Sequence, residues 1–289
     1  MKEEGMCGIT GYVRTGSRTI FVKKVMTNLM CGIEERGAHA AGFAIMDKTG
    51  AGVIHKAPIK ASVMAHSGQW EWAWKKFKPD VFLGHARFAV YGDPKKNINN
   101  HPHSTKNGDL VLIHNGVIRD GKNIKIVSEC DTERALRLIE KKGIVEAFHT
   151  MCSWRNSGFA ILVLDRKAKK LWAFRNDRNP LWIANAKLAC GGLLFASTQD
   201  ILRRALTKSG LDPADMEMRS LKADTLYCFD TSSTWDAEEY EPLPARLPDA
   251  AAWYWRRVTR KTTCPCGSGR NWTPWKERWN DTLHLVFRQ

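Results

Sequence analysis

The sequence lacks any run of about 18 or more apolar residues, so it predicts no membrane-spanning helix. Its first residues also lack the charged-then-apolar arrangement of a secretory signal peptide. Cysteine is sparse, with eight residues in a chain of 289 and only one close pair. This spacing argues against a disulfide framework, and we expect reduced thiols in a cytoplasmic protein.

Acidic residues are also too few to balance the basic ones. The chain has 45 Lys and Arg against 30 Asp and Glu, a formal net charge of +15. Such an excess predicts attraction to polyanions or to an acidic partner surface, or serves solubility alone, and it says nothing about the fold. The apolar content of 43% is enough for one large domain or two small ones with a buried core.

Short apolar strands alternate with a few amphipathic helices along the chain. This pattern predicts an α+β protein in which one sheet packs on another and helices lie outside. The helices that we predict end at glycine or are stopped by proline. The main elements are a strand at 7–14, helices at 19–37, 70–78, 131–143 and 199–210, and strands at 158–165, 170–176, 180–185, 192–198 and 225–230.

The opening stretch "MKEEGMCGITGY" places Cys7 directly after a second methionine. If Met6 were the initiator and were removed, Cys7 would bear the free α-amino group. A thiol needs a base to become a nucleophile. An α-amino group titrates near ~8, so it can act as that base directly or through a water molecule.

Five motifs follow Cys7 in order: "ERGAHAAGFA", "GHARFAVYGD", "NNHPH", "IHNGVI" and "SECDTE". With them the sequence resembles the class II glutamine amidotransferases, the N-terminal nucleophile glutaminases, from Cys7 to Asp230. The resemblance implies a four-layer αββα sandwich of two mainly antiparallel sheets with flanking helices. It also implies hydrolysis of L-glutamine to glutamate and ammonia through a thioester, without a cofactor.

The resemblance also implies roles for residues that match the family's motifs. Cys7 matches the nucleophile, and Asn115 with Gly116 match the oxyanion hole. Arg87 matches the clamp on the substrate α-carboxylate, and Asp131 the acid that holds the α-ammonium group. Two further matches are His101, which lines the same pocket, and Arg36, followed by Gly37, in a loop near the nucleophile.

Taken singly, five of these residues have ordinary structural interpretations. Arg87 alone is typical of a surface ion pair, and Asp131 of a helix N-cap. His101 alone is equally compatible with a structural role, and Asn115-Gly116 with a hairpin turn. The order of the whole set favours the glutaminase interpretation.

Three positions depart from the family pattern. Val90 stands where threonine is common, and Cys130 replaces the threonine that usually precedes the aspartate. "RGAHAAG" replaces the more usual loop after Arg36. An amidohydrolase for another amide is therefore one alternative function, and a glutaminase fold reused as a binding module for nucleic acid or protein is another.

Residues 1–6 are predicted to be a leader, for which two origins remain open. One is a propeptide removed by self-cleavage. The other, which we favour, is translation from Met6, with residues 1–5 never made. In either case we expect the chain that retains Met1 to be inactive.

Residues 7–245 are predicted to form the glutaminase domain, and residues 246–289 a basic, tryptophan-rich tail. The tail has nine Lys or Arg, three Asp or Glu and five Trp. About sixty residues follow Asp230, too few for a synthase domain, so we expect a separate synthetase or nucleobase-modifying protein to accept the ammonia. The tail is a candidate site for nucleic acid, since cations with aromatic residues bind phosphates and stack on bases.

The tail segment "CPCGSGRNW" resembles the first half of a SEC-C zinc motif. Cys264 and Cys266 supply only two thiolates, which do not close a tetrahedral zinc site. The sequence therefore predicts no metal site, with these two cysteines as weak candidates.

Overall fold

The computed structural model describes residues 6–17 and 19–230, and the backbone of residues 238–242 and 255–258. The chain divides into two compact units, Met1–Arg257 and Val258–Gln289. The predicted domain boundary after residue 245 and nearly all of the predicted tail lie outside the described residues, as do residues 1–5 of the predicted leader.

The described part of the chain alternates strands with helices. The strands are β1 (Gly8–Arg14), β2 (Ala40–Asp47), β3 (Gly52–Ala57), β4 (Pro79–Arg87), β5 (His103–Ser104), β6 (Leu110–Val117), β7 (Gly158–Asp165), β8 (Lys170–Arg175), β9 (Trp182–Ala186), β10 (Gly192–Ala196), β11 (Met218–Ser220), β12 (Leu226–Asp230), β13 (Glu238–Pro242) and β14 (Trp255–Val258). The helices are α1 (Phe21–Ile33), α2 (Ala61–Met64), α3 (Gly68–Lys76), α4 (Thr132–Lys142), α5 (Ile144–Cys152), α6 (Lys187–Cys190) and α7 (Gln199–Ser209). Short 3₁₀ turns occupy Glu34–Arg36, Asn97–Asn99 and Pro213–Asp215.

The strands form two seven-stranded sheets. The first has the spatial order β11-β9-β10-β1-β4-β2-β3, and the second β14-β13-β12-β8-β7-β6-β5. The pairings between residues 8 and 230 are antiparallel. β3 and β5 each end their sheet, so both have an open edge.

Three apolar clusters hold the elements in four layers. The first lies between α1, α7 and the outer face of the first sheet. The second lies between the two sheets, and the third between the second sheet and helices α4 and α5. This arrangement is the predicted αββα sandwich.

Alternation along the strands explains how each sheet covers two layers. In β7, Leu162 faces the inter-sheet cluster, whereas Ile161 and Val163 face the helices. Successive side chains of a strand point to opposite faces, so a strand that is apolar at every position is buried on both sides. Burial of one leucine side chain contributes roughly 1.5–3 kcal/mol to folding.

Most predicted helices are present, with shifted ends. The helix predicted at 19–37 is α-helical only to Ile33 and finishes in a 3₁₀ turn before Gly37. α3 ends before Pro79, as predicted, and α4 ends at Gly143, whose φ of +80° suits glycine. No helix of the described residues has both the length and the apolar character needed to cross a membrane.

Candidate active site

Cys7 lies immediately before β1, which is paired on both sides in the first sheet. Its Sγ donates to the carbonyl oxygen of Phe88 and accepts from the amide of Phe88, each at 3.4 Å. Burial raises the pKa of the thiol to about 12, and the bond with Phe88 offsets part of this rise. With Met6 attached, the sulfur is therefore a protonated thiol at neutral pH and a poor nucleophile.

Arg36 lies beside the cysteine backbone. Its Nε donates to the carbonyl oxygen of Cys7 at 3.0 Å, and its Nη2 lies 3.6 Å from Sδ of Met6. An added Cβ on the next residue, Gly37, would lie 2.4 Å from the carbonyl carbon of Arg87. The Arg36-Gly37 pair thus holds the cysteine and the end of β4 close together, through a contact that only glycine allows.

Arg87 is the last residue of β4, and its side chain is turned into the protein, where only 2% of it is exposed. Its Nη1 donates to Oδ1 of Asn100 at 2.8 Å, and its Nη2 donates to the carbonyl oxygens of Tyr91 and Gly92. The surface ion-pair interpretation is therefore wrong. The guanidinium is instead oriented by neutral oxygens, which leaves its charge available to an anionic ligand.

Asn115 and Gly116 lie within β6, opposite Ala160 and Phe159 of β7, so the hairpin-turn interpretation is wrong. Both side-chain polar atoms of Asn115 are buried, and neither has a hydrogen-bond partner within the part of the chain that the structure describes. Gly116 has a φ of +137°, and an added Cβ would lie 2.0 Å from the carbonyl oxygen of Gly158. Unpaired buried amides are rare in folded proteins, and such a group calls for a specific explanation.

Asp131 occupies the N-cap position of α4 without capping it. Its Oδ2 accepts from the amide of Ile118 at 2.5 Å, one residue beyond the end of β6. Sγ of Cys130 lies 3.7 Å from its Oδ1. The N-cap prediction is thus right for the position and wrong for the side chain, which ties the start of α4 to the end of β6.

His101 stands among three other buried histidines. Its ring stacks on His85 with centroids 3.8 Å apart and meets His103 edge-on at 4.9 Å. Its Nδ1 accepts from the amide of His114 at 3.4 Å, and its Nε2 lies 3.2 Å from Oγ1 of Thr132. Burial lowers the pKa of all four histidines, so each is neutral at pH 7.

Potential metal-ligand atoms of His101, His103 and Cys130 lie within 4.8 Å of one another. Nε2 of His101 is 3.6 Å from Sγ of Cys130, so this nitrogen would have to bind the ion. Its proton would then move to Nδ1, which already accepts from the amide of His114. A ligating histidine normally donates from its other nitrogen, so this cluster is better described as a hydrogen-bonded network. The weak candidates of the sequence, Cys264 and Cys266, lie outside the described residues.

Two cavities meet at Cys7, and both are also lined by Phe88, Val90 and Gly116. The larger has a volume of about 210 Å³. The smaller, about 20 Å³, has room for roughly one water molecule. The larger is further lined by Met6, Val117, Arg119, Gly158, Arg178 and Asn179, and the smaller by Arg87, Tyr91, His101, His114, Cys130, Asp131 and Thr132.

The predicted site residues therefore converge on one place. Arg87, His101 and Asp131 line the smaller cavity with Cys7, and Gly116 lines both. Asn115 is buried beside Gly116, and Arg36 contacts the backbone of Cys7 rather than a cavity.

Sequence reasoning missed several residues that hold these groups. Asn100, next to His101 in "NNHPH", accepts from Arg87, and Phe88 holds the thiol. Glu129 accepts from the amide of Asp93 at 3.2 Å and from Lys96 at 2.9 Å. The available signal was that each of these residues lies within two positions of Arg87, His101 or Asp131 in the chain. Their partners could not be predicted, because they are 13 or more residues away in sequence.

Comparisons with known proteins agree with this geometry. A protein from Listeria innocua named glutamine–fructose-6-phosphate aminotransferase is 30% identical over 199 residues, which cover 63% of this chain and 30% of that protein. Its namesake from Helicobacter pylori is 28% identical over 217 residues, covering 68% of this chain and 33% of that protein. The resemblance to class II glutamine amidotransferases is confirmed. The chain spans about a third of the length of these relatives, and no family model matches it.

Solved structures support the fold. A glutamine phosphoribosylpyrophosphate amidotransferase from B. subtilis superposes with a TM-score of 0.61 at 17% identity, over 81% of this chain and 48% of that chain. A glutamine aminotransferase class-II domain protein from Silicibacter pomeroyi gives 0.50 at 13% identity, over 81% of this chain and 99% of that chain. The predicted α+β sandwich of two antiparallel sheets with flanking helices is thereby confirmed.

Proposed function

We propose that this chain hydrolyses L-glutamine to L-glutamate and ammonia as a class II glutamine amidotransferase. The observation that carries the proposal is the buried amide of Asn115, which has no hydrogen-bond partner among the described residues and precedes Gly116, a residue that lines both cavities with Cys7. A preorganised donor beside the nucleophile is what a developing oxyanion requires. The curated relatives are named for glutamine, and the reuse of the fold as a mere binding module is not favoured.

The reaction needs the α-amino group of Cys7 to be free. The amine takes the thiol proton, directly or through water, and the sulfur attacks the side-chain amide carbon of glutamine. The carbonyl oxygen becomes an oxyanion, which Asn115 and the backbone N–H of Gly116 stabilise. The C–N bond then breaks. The leaving nitrogen takes a proton from the α-ammonium group of Cys7 and departs as ammonia. Water, deprotonated by the same amine, then hydrolyses the thioester to glutamate.

The smaller cavity suits the amino-acid end of the substrate. We infer that Arg87 binds the α-carboxylate and Asp131 the α-ammonium group, with His101 as the wall between them. The cavity has the volume of about one water molecule, so residues 88–92 must move outward when glutamine enters. Val90 and Tyr91 of this segment are exposed, which is compatible with such movement.

The leader is part of the proposal. With Met6 attached, the pKa of the Cys7 thiol is raised to about 12, and the residue has an amide nitrogen in place of a basic amine. Removal of residues 1–6, or initiation at Met6 followed by its removal, would supply the base. Both origins of the leader remain open.

A pair of proteins tests the proposal. One starts at Met6, so that processing yields Cys7 as the first residue, and the other starts at Met1 and carries Met6→Ala, which prevents initiation at residue 6. Intact mass identifies the first residue of each, and we expect glutamate release from glutamine only by protein that begins at Cys7, and none by protein that retains residues 1–6 or by Cys7→Ala. Turnover by a protein whose mass includes residues 1–6 would overturn the N-terminal nucleophile assignment.

A second candidate reaction is hydrolysis of another amide. Val90 lines both cavities and presents an apolar side chain there. We therefore propose that substrates be compared by kcat/KM for glutamine, asparagine and N-substituted glutamines. A preference for a substituted amide would favour this second candidate.

We also propose an acceptor for the ammonia, a separate synthetase or nucleobase-modifying protein in the cytoplasm. The six described cysteines form no disulfide with one another, in agreement with a reducing compartment. Nucleic-acid binding by the basic tail belongs to the same proposal. Co-purification with and without residues 246–289 tests the tail, and stimulation of glutamate release by a captured protein tests the acceptor.

A further inference from the structure

Lys56 is a half-buried cation that the proposed mechanism does not use, and it contacts the segment that carries His101 into the smaller cavity. Its Nζ donates to the carbonyl oxygen of Asn100 at 2.8 Å and to that of Pro102 at 3.2 Å. These two carbonyls stand on either side of His101. One ammonium group therefore fixes the backbone of the whole segment 100–102.

The segment lies unusually close to the first sheet. Gly42 of β2 is paired with Lys56 of β3, and an added Cβ on Gly42 would lie 2.0 Å from the carbonyl oxygen of His101. The missing side chain at Gly42 lets the segment rest on the sheet, within reach of the lysine. Lys56 of β3, the last strand of the first sheet, thus contacts the segment that directly precedes β5, the last strand of the second sheet.

The same segment orients the carboxylate clamp. Oδ1 of Asn100 accepts from Nη1 of Arg87 at 2.8 Å. A continuous chain of contacts thus runs from the Lys56 ammonium through Asn100 to the Arg87 guanidinium. Hydrogen bonds from a cation to carbonyl oxygens are stronger than neutral ones, so the lysine is a strong restraint on the Asn100 backbone. The Asn100 side chain is held in addition by its Nδ2, which donates to the carbonyl oxygen of Pro94 at 2.7 Å.

We propose that Lys56 is a positioning residue for the glutamine α-carboxylate, acting on Arg87 through Asn100. The inference rests on the proposed function, because it names how that site recognises its substrate. Lys56 touches no reacting atom in this account. It keeps the guanidinium aligned before the substrate arrives, and this alignment lowers the cost of ordering the site on binding.

The test compares Lys56→Met, Lys56→Arg and, as a control, Lys60→Met, which removes an exposed lysine four residues away. We expect Lys56→Met to raise KM for glutamine by about tenfold or more, equivalent to one charge-assisted hydrogen bond, while kcat stays within about twofold. Lys56→Arg should recover part of the loss, and Lys60→Met should behave as the wild type. An unchanged KM in Lys56→Met, or an equal fall in kcat, overturns the inference.

A double variant checks the route. Asn100→Ala should raise KM on its own, and adding Lys56→Met to it should have little further effect, because the link to Arg87 is already broken. Multiplicative effects would mean that Lys56 does not act through Asn100. Far-UV circular dichroism and thermal unfolding show whether each variant is folded. If the wild type itself releases no glutamate, the proposed function fails; if it is active and KM is insensitive to Lys56, only this inference fails.

Discussion

Asn115 in β6 and Asn176 directly after β8 are both buried, but they differ in their hydrogen bonds to the described residues. Oδ1 of Asn176 accepts from the amide of Phe159 at 3.1 Å, and its Nδ2 donates to the carbonyl oxygen of Ser157 at 2.8 Å. Neither polar atom of the Asn115 side chain has a partner. An unpaired buried amide costs about 1–3 kcal/mol, so Asn115 opposes folding and is explained by a ligand.

Replacing these asparagines by leucine of similar shape should separate stability from activity. We expect Asn115→Leu to leave the free energy of unfolding unchanged or to raise it by about 1 kcal/mol, because no hydrogen bond is lost. The kcat for glutamine should fall by about 10²–10³, the usual effect of removing one oxyanion donor. Asn176→Leu is the matched control and should lower the free energy of unfolding by roughly 1–3 kcal/mol. Equal destabilisation by both variants would contradict this account of Asn115.

The buried histidines predict how stability depends on pH. Burial lowers the pKa of His103 to about 3 and those of His85, His101 and His114 below their usual range. The unfolded chain takes up these protons near pH ~6.5, whereas the folded protein does not. The contribution of these histidines to the free energy of unfolding is therefore fully present above that pH. Below it, the free energy of unfolding falls by about 1.4 kcal/mol per pH unit for each histidine that stays neutral in the folded protein.

Urea unfolding between pH 7.5 and 5 measures this slope before most carboxylates begin to protonate. We expect His103→Gln to give a shallower slope than the wild type, because one group no longer discriminates between the two states. A wild-type stability that is flat over this range would contradict neutral buried histidines.

At the scale of elements, the spacing of apolar residues predicted helices and strands well where it followed a single period, helical or alternating. α3 and α4 were expected from their apolar spacing and from the proline and the glycine that follow them. α5 was missed because Gly143, which ends α4, is followed directly by another helix without a linker. The pair Asn115-Gly116 is typical of a turn, yet tertiary pairing with β7 keeps it inside β6.

A Gly116→Ala change tests whether this position of β6 requires a glycine. Its φ of +137° strains any other residue, and an added Cβ would lie 2.0 Å from the carbonyl oxygen of Gly158 in β7. We expect Gly116→Ala to lower the free energy of unfolding by about 2–3 kcal/mol and to abolish glutamate release. Gly68→Ala, in the first turn of α3 with no atom within 4 Å of an added Cβ, should be neutral or slightly stabilising. A stable, active Gly116→Ala protein would contradict the close contact between β6 and β7.

At the scale of the whole molecule, the site is divided between the sheets. Cys7 and Arg87 lie at ends of strands of the first sheet, and Asn115 and Gly116 lie in the second sheet. Asp131 is at the start of α4, which packs on the second sheet. The order of the motifs, through the resemblance to the glutaminases, predicted which residues meet. It could not predict the residues that set their spacing, such as Lys56, since these act through backbone carbonyls of distant segments.

The spacing between the sheets should therefore control activity. Leu162 of β7 is buried between the sheets, and an added Cβ on Gly11 of β1 would lie 2.8 Å from its Cδ1. Leu206 of α7 is equally buried, but it packs in the outer layer. Either leucine changed to alanine should lower the free energy of unfolding by about 2–5 kcal/mol.

Only Leu162→Ala should also lower kcat/KM for glutamine at temperatures where both variants remain folded. The cavity it leaves lies between the strand that follows Cys7 and the strand that pairs with Asn115, so relaxation there shifts the nucleophile against the amide donor. Leu206→Ala relaxes α7 against the far face of the first sheet and leaves that distance alone. The two proteins would be compared by steady-state glutamate release well below their unfolding midpoints. Equal activities would mean that the distance between β1 and β6 is fixed by contacts other than those of the inter-sheet core.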